Sequence, residues 1–527
     1  MIDQTEIHRM AQSKVINERK ESVNQLKTNF VFFPNKDQAW QDLHRLTQDD
    51  HSDVRWRAAS ALGSTFRSIL DASKDQAWQD LHRLTQDDNS YVRSSAASAL
   101  GLAFRSIPDA SKDQAWQDLH RLMQDNDRGV RWGAASTFGS AFCSIPDASK
   151  DQAWQDLIRL MQDNDKYMRK YAASVLGLAF LSIPDASKDQ AWQDLHHLTQ
   201  DNDSYVRKYA ASALGSAFRS IPDALKDQAL QDLLRLTQDD VSDVRGDAAS
   251  ALGFAFISIP DASKDQIWED LHRLTQDDHS DVRWGAASAL GSAFRSIPDA
   301  SKDQVWQDLI RLTQDDDSDV RWRAASALGS AYSSIPDAHK DQAWQDLHRL
   351  TQDDNSYVRW GAASALGLAF RSIPDASKNQ ACQNLHQLTQ DDKSYVRVSA
   401  NYSLGRISIL KATEAVNENE FKNKLKNALE LFDKSNAKAA FINPARFCHP
   451  FYKSIFSITF EERNVEVEIQ EYIKEAKNAV EDSESKNTLL EAVENLANAL
   501  REVHKSREKG LDAWKHDLKT YKQYCDR

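Results

Sequence analysis

The sequence predicts an all-α protein, an α-solenoid of ten two-helix repeats followed by a C-terminal helical domain. The first observation is a sequence segment of 38 residues that recurs ten times. The first nine copies, which start at Lys36 and every 38 residues up to Lys340, open with Lys-Asp-Gln, and the tenth opens with Lys-Asn-Gln at Lys378. The second is that each copy carries two runs of apolar residues at helical spacing, separated by a short polar break. A period of this length with two helices per copy is typical of helical solenoids.

The first helix of a copy is predicted from its start signal and its apolar face. In the seventh copy, Ser263 followed three residues later by Gln266 forms a capping-box pattern, so we expect the helix to begin there. Placing residues at 100° intervals puts Ile267, Trp268 and Leu274 in one arc, with charged and amide side chains opposite. The tryptophan side is therefore expected to face the core.

The second helix is predicted to run from about Asp281 to Arg295 and to end before Pro298. Alanine and leucine form its apolar stripe, whereas Trp284 and Arg295 lie on the opposite face. Gly291 has a counterpart in every copy, although glycine costs about 1 kcal/mol of helix propensity. We expect these glycines to let a neighbouring helix approach closely.

The text Asp-x-x-x-x-Val-Arg-x-x-Ala-Ala-x-Ala-Leu-Gly, here Asp277 to Gly291, resembles HEAT repeats. The motif particularly resembles the short HEAT-like repeats of the phycobilisome-lyase type, as in archaeal methanogen arrays. The resemblance covers roughly residues 15 to 410. It implies a right-handed α-solenoid of ten 38-residue HEAT-like repeats. It also implies an aspartate-to-arginine ladder along the stack, which carries over to Asp277, Arg283 and their equivalents. Such a fold by itself does not specify a function.

The chain is predicted to divide into three parts, which are an N-terminal helical cap (1–35), the repeat solenoid (36–410) and a C-terminal helical bundle (411–527). Residues 19–34 align with the second helix of a repeat alone, so the cap is expected to be half a repeat. In the C-terminal part the apolar spacing predicts four helices, over residues 421–432, 469–480, 489–500 and 511–521. The aromatic-rich stretch 443–452 contains two prolines and is not expected to form a regular helix.

Charge and composition argue against several classes of function. The net charge is −13, and residues 36–410 hold 41 basic against 54 acidic residues, which disfavours a protein that tracks phosphates. No apolar run is long enough to span a bilayer, and the start lacks a secretory profile, so we expect a cytoplasmic protein without membrane contact. The four cysteines are too widely spaced to indicate a disulfide framework or a zinc site.

No pattern in the sequence indicates a catalytic, cofactor or metal site. Phosphate-loop, dinucleotide, H-E-x-x-H and C-x-x-C motifs are absent from it. Seven of the fifteen histidines share one column, but Ile158, Leu234 and Ile310 occupy the same column, which favours the edge of a packed face. One enzyme with HEAT-like repeats, deoxyhypusine hydroxylase, binds iron through His-Glu pairs, and this sequence has no His-Glu dipeptide. We therefore expect neither an enzyme nor a cofactor.

The differences between copies gather on the second helix, in the columns of Asp281, Trp284 and Gly285. In HEAT arrays the second helices line the concave groove, so variation there is expected of a binder. The column of Gln276 is invariant, and inter-repeat hydrogen bonds are the alternative, purely structural reason for such constancy. The candidate groove residues are Trp56, Trp132, Tyr171, Tyr209, Trp284, Arg295, Trp322, Trp360 and Arg371.

The function predicted from these observations is a non-enzymatic scaffold, expected to be monomeric, that binds a protein or an extended peptide. Tryptophan, tyrosine and arginine dominate the hot spots of protein interfaces. Two alternatives stay open, a HEAT-like enzyme and a nucleic-acid binder that stacks bases on the tryptophan and arginine side chains. Long side chains that only cover a solvent-facing helix are the third reading.

Overall fold

The structure, a computed structural model, shows a chain built of helices. It describes residues 3–142, 145–146, 149–180, 185–259, 261–297, 301–436, 445–461, 464–480 and 486–526. Helices are numbered along the chain, and the first two form the N-terminal cap, α1 (Gln4–Ala11) and α2 (Ile16–Asn29). Within the described ranges the regular elements are all helical, as the sequence predicts.

Ten helix pairs follow, one for each copy of the repeat. The first helices are α3 (Lys36–Leu46), α5 (Asp71–Leu84), α7 (Lys112–Leu122), α9 (Lys150–Met161), α11 (Asp185–Leu198), α13 (Asp223–Leu236), α15 (Asp261–Leu274), α17 (Lys302–Leu312), α19 (Lys340–Leu350) and α21 (Asp375–Leu388). The second helices are α4 (Ser52–Thr65), α6 (Ser90–Ala103), α8 (Arg128–Phe142), α10 (Lys166–Ala179), α12 (Ser204–Ala217), α14 (Ser242–Ala255), α16 (Ser280–Ala293), α18 (Ser318–Ala331), α20 (Ser356–Ala369) and α22 (Ser394–Thr413). The C-terminal helices are α23 (Glu418–Asn436), α24 (Ala445–Phe460), α25 (Val465–Val480), α26 (Lys486–Ser506) and α27 (Leu511–Asp526).

The chain forms two compact units, residues 1–259 and residues 260–527. In both, most tryptophans of the first helices are buried, as the apolar arc predicts; Trp116 and Trp306 are at most 1% exposed, whereas Trp344 is half-buried. The second helices pack on one another, and their glycines make this possible. A Cβ atom on Gly329 would lie 2.5 Å from Cα of Ala365 in the next second helix, which confirms the predicted close approach.

The start of the first helix differs from the prediction. The helix α15 begins at Asp261, two residues before Ser263, and α7 begins after Ser111, whose side chain forms no capping hydrogen bond. In α13 the residue before the helix is Pro222, and Asp223 in the first turn pairs with Lys226 at 2.7 Å. An acidic residue placed here also interacts favourably with the positive end of the helix dipole.

The expected aspartate-to-arginine ladder is confirmed. Arg283 donates from Nε and Nη2 to both carboxylate oxygens of Asp315, at 2.7 and 2.8 Å, and Asp315 is the equivalent of Asp277 one copy later. The remaining nitrogen of Arg283, Nη1, donates to the backbone carbonyls of Asp277 and Asp278. Arg283 therefore closes its own inter-helix loop and holds the loop of the next repeat. Arg131 is an exception, because its hydrogen bonds within the described residues reach only its own loop.

The N-terminal cap is a helix pair rather than the expected lone second helix. Arg19 on α2 pairs with Asp49 at 2.5 Å, so α2 takes the place of a second helix in the ladder, as predicted. The short α1 precedes it, and His8 on α1 contacts the buried Asp42 at 2.7 Å. Because α1 is only eight residues long and its sequence matches the 38-residue repeat poorly, the repeat pattern did not predict this helix.

The C-terminal helices share a core with the last repeat. The helix α22 continues through the expected boundary at residue 411, and Ile409 and Ala412 on it pack with Phe421 and Leu425 of α23. The expectation that 443–452 contains no regular helix is wrong from Ala445 onward, because α24 includes Pro450. Proline there removes one backbone hydrogen bond, while the aromatic side chains of α24 are buried against α23 and α25. Residues 443 and 444 lie outside the described residues.

Candidate partner-binding surface

The second-helix surface comprises the aromatic and charged side chains near the starts of the second helices. Seven of the nine candidate groove residues lie on it, Trp56, Trp132, Tyr171 and Tyr209 in residues 1–259, and Trp284, Trp322 and Trp360 in residues 260–527. The other two, Arg295 and Arg371, lie past the opposite ends of these helices and belong to a separate cleft.

In residues 260–527 the second-helix surface is a continuous stack of rings and one guanidinium group. Cζ of Arg323 lies 4.2 Å from the centre of the Trp284 ring and 5.3 Å from that of Trp322. The rings of Trp322 and Trp360 are stacked, with centres 5.7 Å apart and planes 15° apart. The edge of Tyr395 then meets Trp360, at 6.4 Å. Four successive repeats therefore contribute to one aromatic and cationic surface.

These tryptophans are half-buried, although the sequence places them on the face opposite the apolar stripe. The reason is the spacing of the second helices, which brings each ring against the next repeat. Gly361 illustrates the fit, because a Cβ atom there would lie 2.7 Å from Cδ1 of Trp322. At this position of the column of Gly285, the absence of a side chain therefore leaves room for the Trp322 ring.

Arg323 is the most unusual group of this stack. Its Nε atom is buried and has no hydrogen-bond partner among the described residues. Burial lowers the pKa of Arg323 from its ordinary value, because a charged guanidinium group loses hydration between two indole rings. Buried donors in proteins nearly always have an acceptor. The stack therefore presents a cation whose hydrogen-bonding capacity is not used within the described chain.

In residues 1–259 the second-helix surface contains tyrosine and lysine in addition to tryptophan and arginine. Trp132, which is 45% exposed, meets the edge of Tyr171 at 6.1 Å. Nζ of Lys170 lies 5.4 Å from the Tyr171 ring centre and 4.5 Å from that of Tyr209. Trp56 has a similar neighbour, since Cζ of Arg57 lies 4.5 Å from its ring centre. Cation–π contacts therefore occur in both units, and residues 1–259 include pairs of lysine with tyrosine as well as a pair of arginine with tryptophan.

Arg295 and Arg371 line a cleft of about 530 Å³ that the sequence did not predict. Arg406 of α22 and Lys519 of α27 line the same cleft. The arginine column and the tryptophan column are therefore two surfaces rather than one. Helical periodicity placed both columns on one face, but the residues lie about a helix length apart.

Sequence reasoning also missed a column of exposed apolar side chains on the second helices. Leu102, Leu178 and Phe254 are 64%, 61% and 56% exposed, and Leu368 belongs to the same column. The signal was available, because Ser64, Ser140, Ser216, Ser292 and Ser330 fill the column in other copies. A position that accepts serine is exposed, so a large apolar residue there is not required by the core.

The histidine column has a structural role. Nδ1 of His120 contacts the buried Asp156 of the next first helix at 2.5 Å, and five further histidines make the same step, His8, His44, His82, His196 and His272. Gln124 contacts Nε2 of His120 at 3.0 Å. In six copies the invariant glutamine thus contacts the histidine of its own repeat, whereas the structural alternative proposed contacts across repeats. The described residues contain no group of three or more side chains placed to hold a metal ion.

Comparison with known families identifies the architecture. The model of HEAT repeats matches residues 18–101, 41–137, 81–176, 154–253, 255–329 and 307–405. The chain belongs to the HEAT-repeat family. The narrower likeness to repeats of the phycobilisome-lyase type stays a prediction. No curated protein matches the sequence.

Solved structures resemble this HEAT-repeat chain in fold. Yeast importin-β (Kap95p) is similar with a TM-score of 0.59 and 13% sequence identity, over 99% of this chain and 73% of that chain. A crystal structure of an engineered protein is 26% identical with a TM-score of 0.36, over 70% of this chain and 98% of that chain. The likeness to importin-β concerns the fold alone. No described helix is both long and apolar enough to cross a membrane.

Proposed function

We propose that this HEAT-repeat protein is a non-enzymatic scaffold that binds a segment of a partner protein along its second-helix surface. The observation that carries the proposal is the stack of Trp284, Arg323, Trp322 and Trp360. Its rings are rigid and half-buried, so a partner can cover them at a small cost in conformational entropy. The Nη groups of Arg323, which are not among its buried unpaired atoms and form no hydrogen bond within the described residues, would bind a carbonyl or carboxylate oxygen of the partner.

The contrast between conserved and varied columns supports the same proposal. Contacts that hold repeats together recur from copy to copy, for example the pair formed by Arg283 and Asp315. On the second-helix surface the side chains differ between copies, with Lys170 beside Tyr209 in one place and Arg323 beside Trp284 in another. Within each unit, such a surface can bind different parts of an extended ligand through different side chains, which is a common use of repeat scaffolds.

A random peptide library displayed on phage, selected on the immobilised chain, provides a probe for this surface. We expect the variants Trp322→Ala and Trp360→Ala each to weaken a selected peptide by about tenfold, which corresponds to about 1.4 kcal/mol. Arg323→Leu keeps the packing between the rings but removes the charge, so it separates the two contributions. Phe32→Ala is the matched control, since Phe32 is an exposed aromatic residue outside the stack.

The proposal fails if folded Trp322→Ala and Trp360→Ala bind the selected peptides as the unaltered chain does. Measuring the affinity of the bound ligand at increasing salt concentration tests the nucleic-acid alternative. A polyanion that is held by counterion release loses affinity steeply and log-linearly with salt, whereas an aromatic interface depends on it weakly. A cytoplasmic location and a monomeric state stay predictions, which microscopy and light scattering test.

A further inference from the structure

We propose that the cleft lined by Arg295, Arg371, Arg406 and Lys519 is a second binding site, for an acidic segment of a partner protein. This basic cleft lies apart from the aromatic stack and does not depend on the function proposed for it. It lies within residues 260–527, with a volume of about 530 Å³. The C-terminal helix α27 contributes Lys519, so the cleft gives that part of the chain a role in binding.

The basic cleft is built from several elements that the repeat order brings together. Arg295 follows the second helix of the seventh copy, and Arg371 follows that of the ninth. Arg406 comes from the middle of α22, the second helix of the last copy. Lys519 lies on α27, more than a hundred residues further along the chain. The site therefore needs both the repeat array and the C-terminal helices.

The charge of the basic cleft is opposite to that of the chain. Four cationic side chains line it against one acidic side chain, Glu414, although the whole chain carries a net charge of −13. Within the described residues, Arg295, Arg371 and Lys519 form neither an ion pair nor a hydrogen bond. Arginine binds carboxylates through two parallel hydrogen bonds, so this arrangement matches clustered aspartate or glutamate side chains.

The rest of the lining favours a peptide over other anions. Leu368 and Leu410 supply apolar surface beside the cations, and Leu368 is 44% exposed. A free phosphate ion would leave this apolar surface uncovered. A nucleic acid needs a basic track along its backbone, and the array around the cleft is acidic. An acidic peptide with apolar side chains fits both kinds of lining.

A basic residue near the end of a helix also has a local explanation, because it interacts favourably with the helix dipole. The repeats themselves provide a control for this effect. Arg105 and Arg219 occupy the same column as Arg295 and Arg371 and are also exposed, but they lie in residues 1–259 outside the cleft. If these arginines only stabilised their helices, substituting any of the four would have the same effect on ligand binding.

The test is fluorescence anisotropy with a short labelled peptide in which leucines separate pairs of glutamates. Three variants are compared with the full chain, the double variant Arg371→Ala with Lys519→Ala, the single variant Lys519→Glu, and the control Arg105→Ala with Arg219→Ala. We expect the cleft double variant to weaken binding by about tenfold or more and the control to leave it unchanged. All the altered side chains are exposed, so we expect the variants to melt at the same temperature as the unaltered chain. Equal melting temperatures would show that the variants are folded.

Further probes decide between ligand classes. The peptide with glutamine in place of glutamate should bind weakly, and inorganic phosphate should not compete at concentrations near the peptide's Kd. The proposal is overturned if the acidic peptide does not bind, if the control double variant weakens it as much as the cleft variant, or if labelled oligothymidylate binds more tightly. Trp322→Ala should leave this peptide's affinity unchanged, so failure here is distinguishable from failure of the aromatic surface.

Discussion

The two sides of each repeat differ in how their contacts vary from copy to copy. Between first helices the same contacts recur, such as His120 with Asp156 and Arg121 with Thr85 of the preceding repeat. On the second-helix surface the neighbours change, from Lys170 beside Tyr209 to Arg323 beside Trp284. A contact between repeats needs both partners at every step, whereas a surface side chain can change alone. The comparison separates the residues that hold the array together from those available for binding.

The core tryptophan of the first helix provides the largest expected effect. Trp306 is 1% exposed, so Trp306→Ala should destabilise folding by about 3–5 kcal/mol through lost burial and the cavity left behind. The measurement is urea unfolding followed by circular dichroism. Binding by the variant, measured where it is still folded, should be nearly unchanged. A variant that unfolds with the unaltered chain would contradict the assignment of this face to the core.

The aspartate-to-arginine ladder should give the next largest effect. Asp315→Asn leaves Arg283 without its carboxylate, and we expect a loss of about 2–3 kcal/mol, below the 3–5 typical of fully buried pairs because Arg283 is 19% exposed. Burial alone would raise the pKa of Asp315, but hydrogen bonds from Arg283 and the backbone amide of Asp317 outweigh it, and the pKa lies below its usual value.

The sign of the pH dependence follows from this lowered pKa. The ladder stabilises the fold fully above the unfolded-state pKa of aspartate, near 4, and loses this contribution as pH falls through the lower folded-state value. The difference between Asp315→Asn and the unaltered chain should therefore shrink in acid. A difference in unfolding free energy that stays constant from neutral to acidic pH would rule out this account.

The stacked tryptophans of the second-helix surface should matter less for folding than the core tryptophans. Trp322 is half-buried and its ring contacts Trp360 and Arg323, so Trp322→Ala should cost about 1–2 kcal/mol. Its effect on the binding of selected peptides should be the larger part of its phenotype. Trp306→Ala is the reverse case, and the pair measures how far stability and binding are separated.

Most of the fold could be predicted from the sequence, because the repeat presents the same pattern ten times. The period, the helix pairs and the buried face of Trp268 follow from spacing alone. The guanidinium group of Arg323 between two rings could not be predicted, since it depends on the distance between second helices. Pro450 inside α24 shows a second limit, because the local rule for proline is overridden by the burial of neighbouring aromatic residues.

The site was harder to predict than the fold because its residues come from different repeats. The sequence placed Trp284 and Arg295 on one face of a helix, but they line different surfaces. The partners of the histidine column lie 36 residues further on, so the carboxylate at Asp156 was not recognised as a buried partner. An aspartate that recurs beside the apolar arc was the available signal, since a charged residue at such a position needs a partner when it is buried.

One of the positions where the histidine column lacks a histidine should give the smallest and most specific effect. Asp194 is 6% exposed, its Oδ2 has no hydrogen-bond partner among the described residues, and Gln190 reaches its Oδ1 at 3.2 Å. In the preceding repeat, the position that would supply a histidine partner for Asp194 is occupied by Ile158. His197 occupies the position at which most other copies carry an arginine. Burial raises the pKa of Asp194 above its ordinary value. Folding therefore disfavours the ionised form.

Asp194→Asn should consequently stabilise the protein at neutral pH, by about 1 kcal/mol, the cost of a buried acceptor left unpaired. The cost is present above the raised folded-state pKa and disappears as pH falls below the unfolded-state value near 4, so the gain should vanish in acid. Ile158→His, which supplies the missing donor, should give a similar gain. The matched control is Asp156→Asn, which breaks the contacts with His120 and Arg159 and should destabilise the protein at the same neutral pH. Urea unfolding of the three variants at neutral and acidic pH tests this, and equal signs for Asp194→Asn and Asp156→Asn would refute it.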